Sequence, residues 1–163
     1  MLLIIMAAVL SGCIKDNPEV ADLKVGEKLP DFEVIMSDGS VVTDESLKGN
    51  VSVVVFFHTS CPDCRQALPV IQNIYDDYAP KSVGFAVISR EEGSDEVLSY
   101  WKENGLEMPY SAQDSRKVYE KFASMQIPRV YISDRDGIIR YIFTDDPVPS
   151  YDDVSSAIEA LTR

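Results

Sequence analysis

Val51-Ser52-Val53-Val54-Val55-Phe56-Phe57 is followed almost at once by Cys61-Pro62-Asp63-Cys64. A β-branched and aromatic run with so little polar alternation is the pattern of a strand covered on both faces, so it demands a layer on each side. The cysteine spacing then asks for a helix, because residues at i and i+3 on its first turn share a face and can bring two sulfurs within bonding distance. Such a pair opens and closes with little backbone movement. Unpaired N–H groups and the positive end of the helix dipole favour a thiolate at Cys61, which makes Cys61 the nucleophile and Cys64 the resolving thiol. Asp63 works against this: a carboxylate about 6 Å from a thiolate in water-like dielectric costs roughly 0.7 kcal/mol, against roughly 0.3 to 1 and up to about 2 kcal/mol from the helix end. With Pro62 and Asp63 between the thiols, Cys61 is expected to have a modestly lowered pKa, and the pair to tilt toward reducing rather than oxidising, since destabilised thiolates make a dithiol a stronger reductant.

The rest of the chain alternates strand and helix patterns. Phe32 to Met36 and Val41-Val42 flank Ser37-Asp38-Gly39-Ser40, a hairpin whose Asp-Gly supplies a left-handed turn residue. After the cysteines, Leu68, Ile71, Ile74, Tyr75 and Tyr78 recur at helical spacing, with Pro69 expected to kink the helix and Ala79-Pro80 to end it. Ser82 to Ser89 reads as a second buried strand. Ser94 is expected to cap a helix carrying Val97 and Trp101 and closing at Gly105, and Asp114 to cap another carrying Val118 and Phe122. Val130 to Ile132 and Ile138 to Phe143 flank Asp134-Arg135-Asp136-Gly137 as a second hairpin, and Ser150 with Asp153 forms a capping box before Val154, Ile158 and Leu161. Parallel strands joined by helices and followed by an antiparallel hairpin describe an α/β domain on a mixed sheet.

The remaining cysteine, Cys13, closes Leu10-Ser11-Gly12-Cys13 after an almost wholly apolar run from Leu2. That run is too short to span a bilayer and fits the apolar region of a secretory signal, although no Lys or Arg precedes it. Its end resembles the lipobox of bacterial lipoproteins, which implies cleavage before Cys13 and lipid on that residue. The expected organisation is a signal peptide over 1–12, a polar lipid-anchored tether over 13–24 and one domain over 25–163. An exported chain left with a single cysteine pair points to redox chemistry rather than a disulfide scaffold. The formal net charge of -12 excludes nucleic acid as a natural partner, because phosphate repels such a surface.

Taken in order, Val25-Gly26-Glu27-Lys28-Leu29-Pro30-Asp31-Phe32, Leu47-Lys48-Gly49, the cysteine motif, Pro69, and Ile127-Pro128 before a strand ending in Asp134-Arg135-Asp136-Gly137 resemble the thioredoxin superfamily. The likeness is specifically to the membrane-tethered bacterial TlpA/ResA-like thiol-disulfide oxidoreductases. It implies a thioredoxin-like fold, a central mixed sheet flanked by helices, with an added N-terminal hairpin. It also implies a cis proline at Pro128 lying against the dithiol, and an Ile127 backbone that bonds a substrate's backbone. The implied partners are protein thiol or disulfide substrates and an upstream membrane thiol reductant. Beyond the redox-active disulfide no cofactor or metal is implied. The chain departs from the pattern at Ser60, where many relatives carry Trp, at Val55, where thioredoxin has a buried acid, and at Ala67, where ResA-like proteins carry Glu. His58, the sole histidine, is the candidate to exchange the missing proton or to stabilise the Cys61 thiolate.

A peroxiredoxin-like peroxidase is the nearest rival, but His58 and Val54 stand where its active-site hydroxyl and proline belong. A metal-delivery module would need more ligands than two cysteines and one histidine provide. A non-catalytic surface lipoprotein that keeps only the fold is the third alternative, and the intact cysteine pair argues against it.

Overall fold

A computed structural model describes residues 21–163; Cys13, the expected signal peptide and most of the expected tether lie outside the described residues. The apolar run forms β3 of the fold, Ser52–Phe57, and every one of its residues is buried. It is preceded by a hairpin of β1 (Glu33–Ile35) and β2 (Val41–Thr43) and by a single turn of helix, α1 (Asp44–Leu47). Then come α2 (Pro62–Tyr78), β4 (Gly84–Ser89), α3 (Ser94–Asn104), β5 (Arg129–Ser133), β6 (Ile139–Phe143) and α4 (Tyr151–Thr162). The main sheet runs β4-β3-β5-β6, with β3 parallel to β4 and antiparallel to β5, and β5 antiparallel to β6. The N-terminal hairpin stays a separate two-stranded sheet. This is the thioredoxin-like α/β architecture with its added hairpin.

Alternation along β3 sends successive side chains to opposite faces. Phe57 meets Trp101 of α3 with ring centroids 5.0 Å apart, while Phe56 meets Phe122 at 4.8 Å and Tyr119 at 5.3 Å. Both rings are fully buried, and each such side chain contributes roughly 1.5 to 3 kcal/mol relative to exposure. The one polar residue of the strand, Ser52, is satisfied across the sheet by the Ser133 hydroxyl at 2.5 Å. The strand that delivers the cysteines is therefore held from both sides.

Both expected hairpin turns have their glycine in the left-handed region, Gly39 at φ +84° and Gly137 at φ +76°. The capping box of Ser150 and Asp153 opens α4, and Gly105 closes α3 at φ +63°. Helix α2 runs unbroken through Pro69, which forfeits only the bond to the Arg65 carbonyl, close to the helix start. It is tied to α4 by bonds from the Tyr78 hydroxyl to Glu159 (2.8 Å) and from the Tyr151 hydroxyl to Asp77 (2.7 Å).

Three local expectations are corrected. Strand β4 starts at Gly84 rather than Ser82, because Ser82 takes a left-handed φ of +64° to close the preceding turn. Gly93, not Ser94, is the N-cap of α3, and no side chain caps it. The helix expected after Asp114 is reduced to a 3-10 turn over Tyr119–Lys121. Its continuation is blocked because the Phe122 carbonyl, which a longer helix would give to residue 126, is taken by the Leu23 N–H (2.9 Å) and the Tyr131 hydroxyl (3.0 Å).

Candidate active site

The end of β3 turns through His58-Thr59-Ser60 into α2, with Cys61 as the N-cap and Pro62 as the first helical residue. Proline suits that position, since its missing N–H would have had no helical partner there. The Cys61 N–H bonds the His58 carbonyl at 3.1 Å, and the Cys61 carbonyl accepts from the Arg65 N–H at 3.0 Å. The loop and helix thus share one hydrogen-bonded corner.

Both cysteines are free thiols, Cys61 half-buried and Cys64 fully enclosed. Burial pushes the Cys64 thiol well above the ordinary range, and contact with Cys61 pushes it further. The main-chain N–H of His58 and the charge of Arg90 act in the opposite direction and do not overcome it. Cys64 is a protonated thiol at neutral pH. The Cys61 thiol lies 3.6 Å from the Ile127 carbonyl oxygen, to which it donates. Ile127–Pro128 is a cis peptide, and Pro128 is buried. Cys61, Cys64, Ile127 and Pro128, far apart in sequence, therefore meet at one place, and Asp63 sits partly buried in the same first turn.

His58 opens the same loop. Its Nδ1 accepts from the Ser60 N–H at 3.2 Å, stands 2.9 Å from the Ser60 hydroxyl and 3.6 Å from a Glu92 carboxylate oxygen.

Glu92 is the acid that sequence reasoning missed. It is 7% exposed, lies just beyond β4 and accepts from both the Thr59 N–H (2.8 Å) and the Thr59 hydroxyl. Charge-assisted bonds of this kind are about twice as strong as neutral ones. Ser89-Arg90-Glu91-Glu92-Gly93 carries the signal, a charged cluster directly after a buried strand, yet nothing in it says which glutamate turns inward. Val55 and Ala67, the places where relatives keep an acid, are each 1% exposed and apolar. On the outer side Arg65 braces the loop, its Nε donating to the Thr59 carbonyl at 2.6 Å and its guanidinium lying 5.8 Å from the centre of the Tyr100 ring. Among the described residues no three His, Cys, Asp or Glu side chains converge as they would around a metal ion.

Two sulfurs that can join or part at the tip of a helix, beside a cis-proline loop, make this a thiol-disulfide oxidoreductase on a thioredoxin-like fold. The Redoxin family model matches residues 24–161, and the chain belongs to that family. Among characterised relatives, it is 27% identical over 122 residues to the thioredoxin-like protein YneN of Bacillus subtilis (strain 168), covering 74% of this chain and 71% of that protein. It is 26% identical over 148 residues to the thiol-disulfide oxidoreductase ResA of Oceanobacillus iheyensis, covering 86% and 76%. A solved thiol:disulfide interchange protein of Chlorobium tepidum superposes with a TM-score of 0.72 at 23% identity, covering 88% of this chain and all of that one, a likeness of fold.

Proposed function

We propose that the protein reduces disulfides in exported proteins, working from a bacterial membrane to which lipid on Cys13 attaches it, on the periplasmic face or the outer surface. The observation that carries the reading is the asymmetry of the pair: a reachable Cys61 at the helix tip and an enclosed, protonated Cys64 behind it. A Cys61 thiolate attacks one sulfur of the client disulfide, forming a mixed disulfide and releasing the other client sulfur as a thiolate. Cys64 then loses its proton and attacks the Cys61 sulfur, which frees the second client sulfur and leaves a Cys61–Cys64 disulfide. An upstream membrane thiol reductant supplies two electrons and two protons to restore the dithiol.

Ile127 and Pro128 are the client-contact residues in this reading, with the Ile127 carbonyl available to a client N–H once Cys61 has reacted. His58, backed by Glu92, handles the proton that Cys64 must lose, in place of the acids absent at Val55 and Ala67. The enclosed thiol supports a reducing pair, because burial gives the dithiol form no thiolate stabilisation at Cys64. That ResA of Oceanobacillus iheyensis is a thiol-disulfide oxidoreductase accords with it.

The test is covalent trapping. A Cys64→Ser variant expressed in full, with its signal segment, is expected to accumulate mixed disulfides through Cys61 with exported proteins, and a Cys61→Ser variant to accumulate none. Equal yields from the two variants, or an empty trap, would refute the assignment.

A further inference from the structure

Arg129 follows Pro128 directly, and its side chain is 5% exposed. An arginine so enclosed needs a partner, because an unpaired buried charge is strongly destabilising. Its Nη2 donates to Asp22 Oδ2 at 2.7 Å and to the Gln126 side-chain oxygen at 3.3 Å, and its Nη1 donates to the Tyr131 hydroxyl at 3.2 Å. Asp22 Oδ1 meanwhile accepts from the Ser124 N–H at 2.7 Å and from the Ser124 hydroxyl at 2.9 Å. One carboxylate therefore grips both ends of the segment 124–129.

Between those grips lie Met125, 65% exposed, Gln126 with a left-handed φ of +73°, and Ile127, whose carbonyl faces Cys61. The segment is held further by the Arg116 guanidinium on the Ser124 carbonyl (2.7 Å) and the Tyr119 hydroxyl on the Gln126 carbonyl (2.8 Å). None of these bonds uses the Ile127 carbonyl. The loop is fixed at its flanks, and the atom that faces the dithiol is engaged by the Cys61 thiol rather than by the loop's own bonds. Asp22 belongs to the stretch expected as tether, yet it is bonded into the domain, and so is Leu23 through its N–H.

We propose that Asp22 is a positioning residue for thiol-disulfide exchange: by holding Ser124 and Arg129 together it sets where the Ile127 carbonyl stands relative to Cys61, and so how a peptide client is presented to the dithiol. This rests on the reading of Ile127 and Pro128 as client-contact residues. A merely structural ion pair behaves differently: Arg129 is the enclosed member and Asp22 is 38% exposed, and replacing such an enclosed charge together with its partner by apolar residues is often neutral or even stabilising. Loss of stability and loss of client positioning can therefore be separated.

The experiment compares the full chain with Asp22→Asn and with the double variant Asp22→Ala/Arg129→Met, which leaves no unpaired guanidinium. The quantity read is the ratio of the exchange rate with a disulfide-bonded peptide to that with a small aromatic disulfide, which has no backbone for the loop to hold. The ratio is expected to fall about tenfold in both variants, as small misplacements near reacting groups do, although the double variant melts close to the wild type. It is read in both, and in the double variant alone if the single one does not fold; a wild-type ratio in either overturns the proposal. The client-contact reading is tested separately by the wild type. If that protein shows no preference for the peptide, the reading fails, and the latch is then judged by whether the Ile127 carbonyl carbon resonance moves in the variants.

Discussion

Glu92 and Thr59, 33 positions apart, are joined twice: the carboxylate of the first accepts both the N–H and the hydroxyl of the second. Thr59 is the middle residue of the loop that aims Cys61, so the carboxylate fixes the loop from inside while Arg65 braces it from outside. Removing the carboxylate leaves two buried donors unsatisfied, at about 1 to 3 kcal/mol each. Glu92→Ala is therefore expected to lower stability by at least about 2 kcal/mol, a fall of at least roughly 4 °C in melting temperature for a domain of this size. Glu92→Gln, which keeps one acceptor, is expected to lose less. A melt of Glu92→Ala within 1 °C of the wild type would mean that the two Thr59 donors find other partners.

The enclosed thiol has its own signature in the pH dependence of stability. Cys64 keeps its proton in the folded state far above the pH at which an unfolded thiol gives it up, and the cause is burial. Below about pH 8.5 both states hold the proton, and the group contributes nothing to the slope. Above it the unfolded state releases a proton that the folded state retains, so unfolding becomes easier as pH rises. The reduced protein is expected to lose up to about 1.4 kcal/mol of stability per pH unit above that point through this group. Denaturant melts of the reduced wild type and of Cys64→Ser between pH 8 and 10 provide the comparison. Parallel curves for the two would contradict the assignment of a buried neutral thiol.

Much of this was legible in the sequence because it is written in local patterns. The unbroken run before Cys61, the glycines at 39 and 137 and the Ser150 box each dictate a conformation within a few residues, and the structure has all of them. Pro128 became legible only through its place in an ordered series of motifs. What escaped is what depends on distant partners. Arg129 and Asp22 are 107 positions apart, and an arginine after a proline looks like any surface cation until the carboxylate that encloses it is known. The short turn after Asp114 also stops on distant partners, since Leu23 and Tyr131 take the Phe122 carbonyl that an extension beyond it would use. Propensity was overridden by tertiary bonds.

His58 supplies the last expectation. Its Nδ1 accepts from the Ser60 N–H and stands 3.6 Å from a Glu92 carboxylate oxygen, so the imidazole lies beside a buried carboxylate. In the proposed cycle the slow moment is the attack of Cys64 on the mixed disulfide, because that thiol must first be deprotonated against its burial. A positioned acid–base group contributes typically about 10²-fold or more to such a transfer. His58→Ala is expected to slow release of a client from the Cys61 mixed disulfide by at least tenfold near neutral pH. Formation of that mixed disulfide should be much less affected, and buffer imidazole should restore part of the lost rate. Stopped-flow release of a fluorescent peptide, followed on both sides of neutrality, separates the two steps. Should the variant release its client at the wild-type rate, the Cys64 proton leaves by another path, and the ring serves only to hold Ser60 and Glu92 in register.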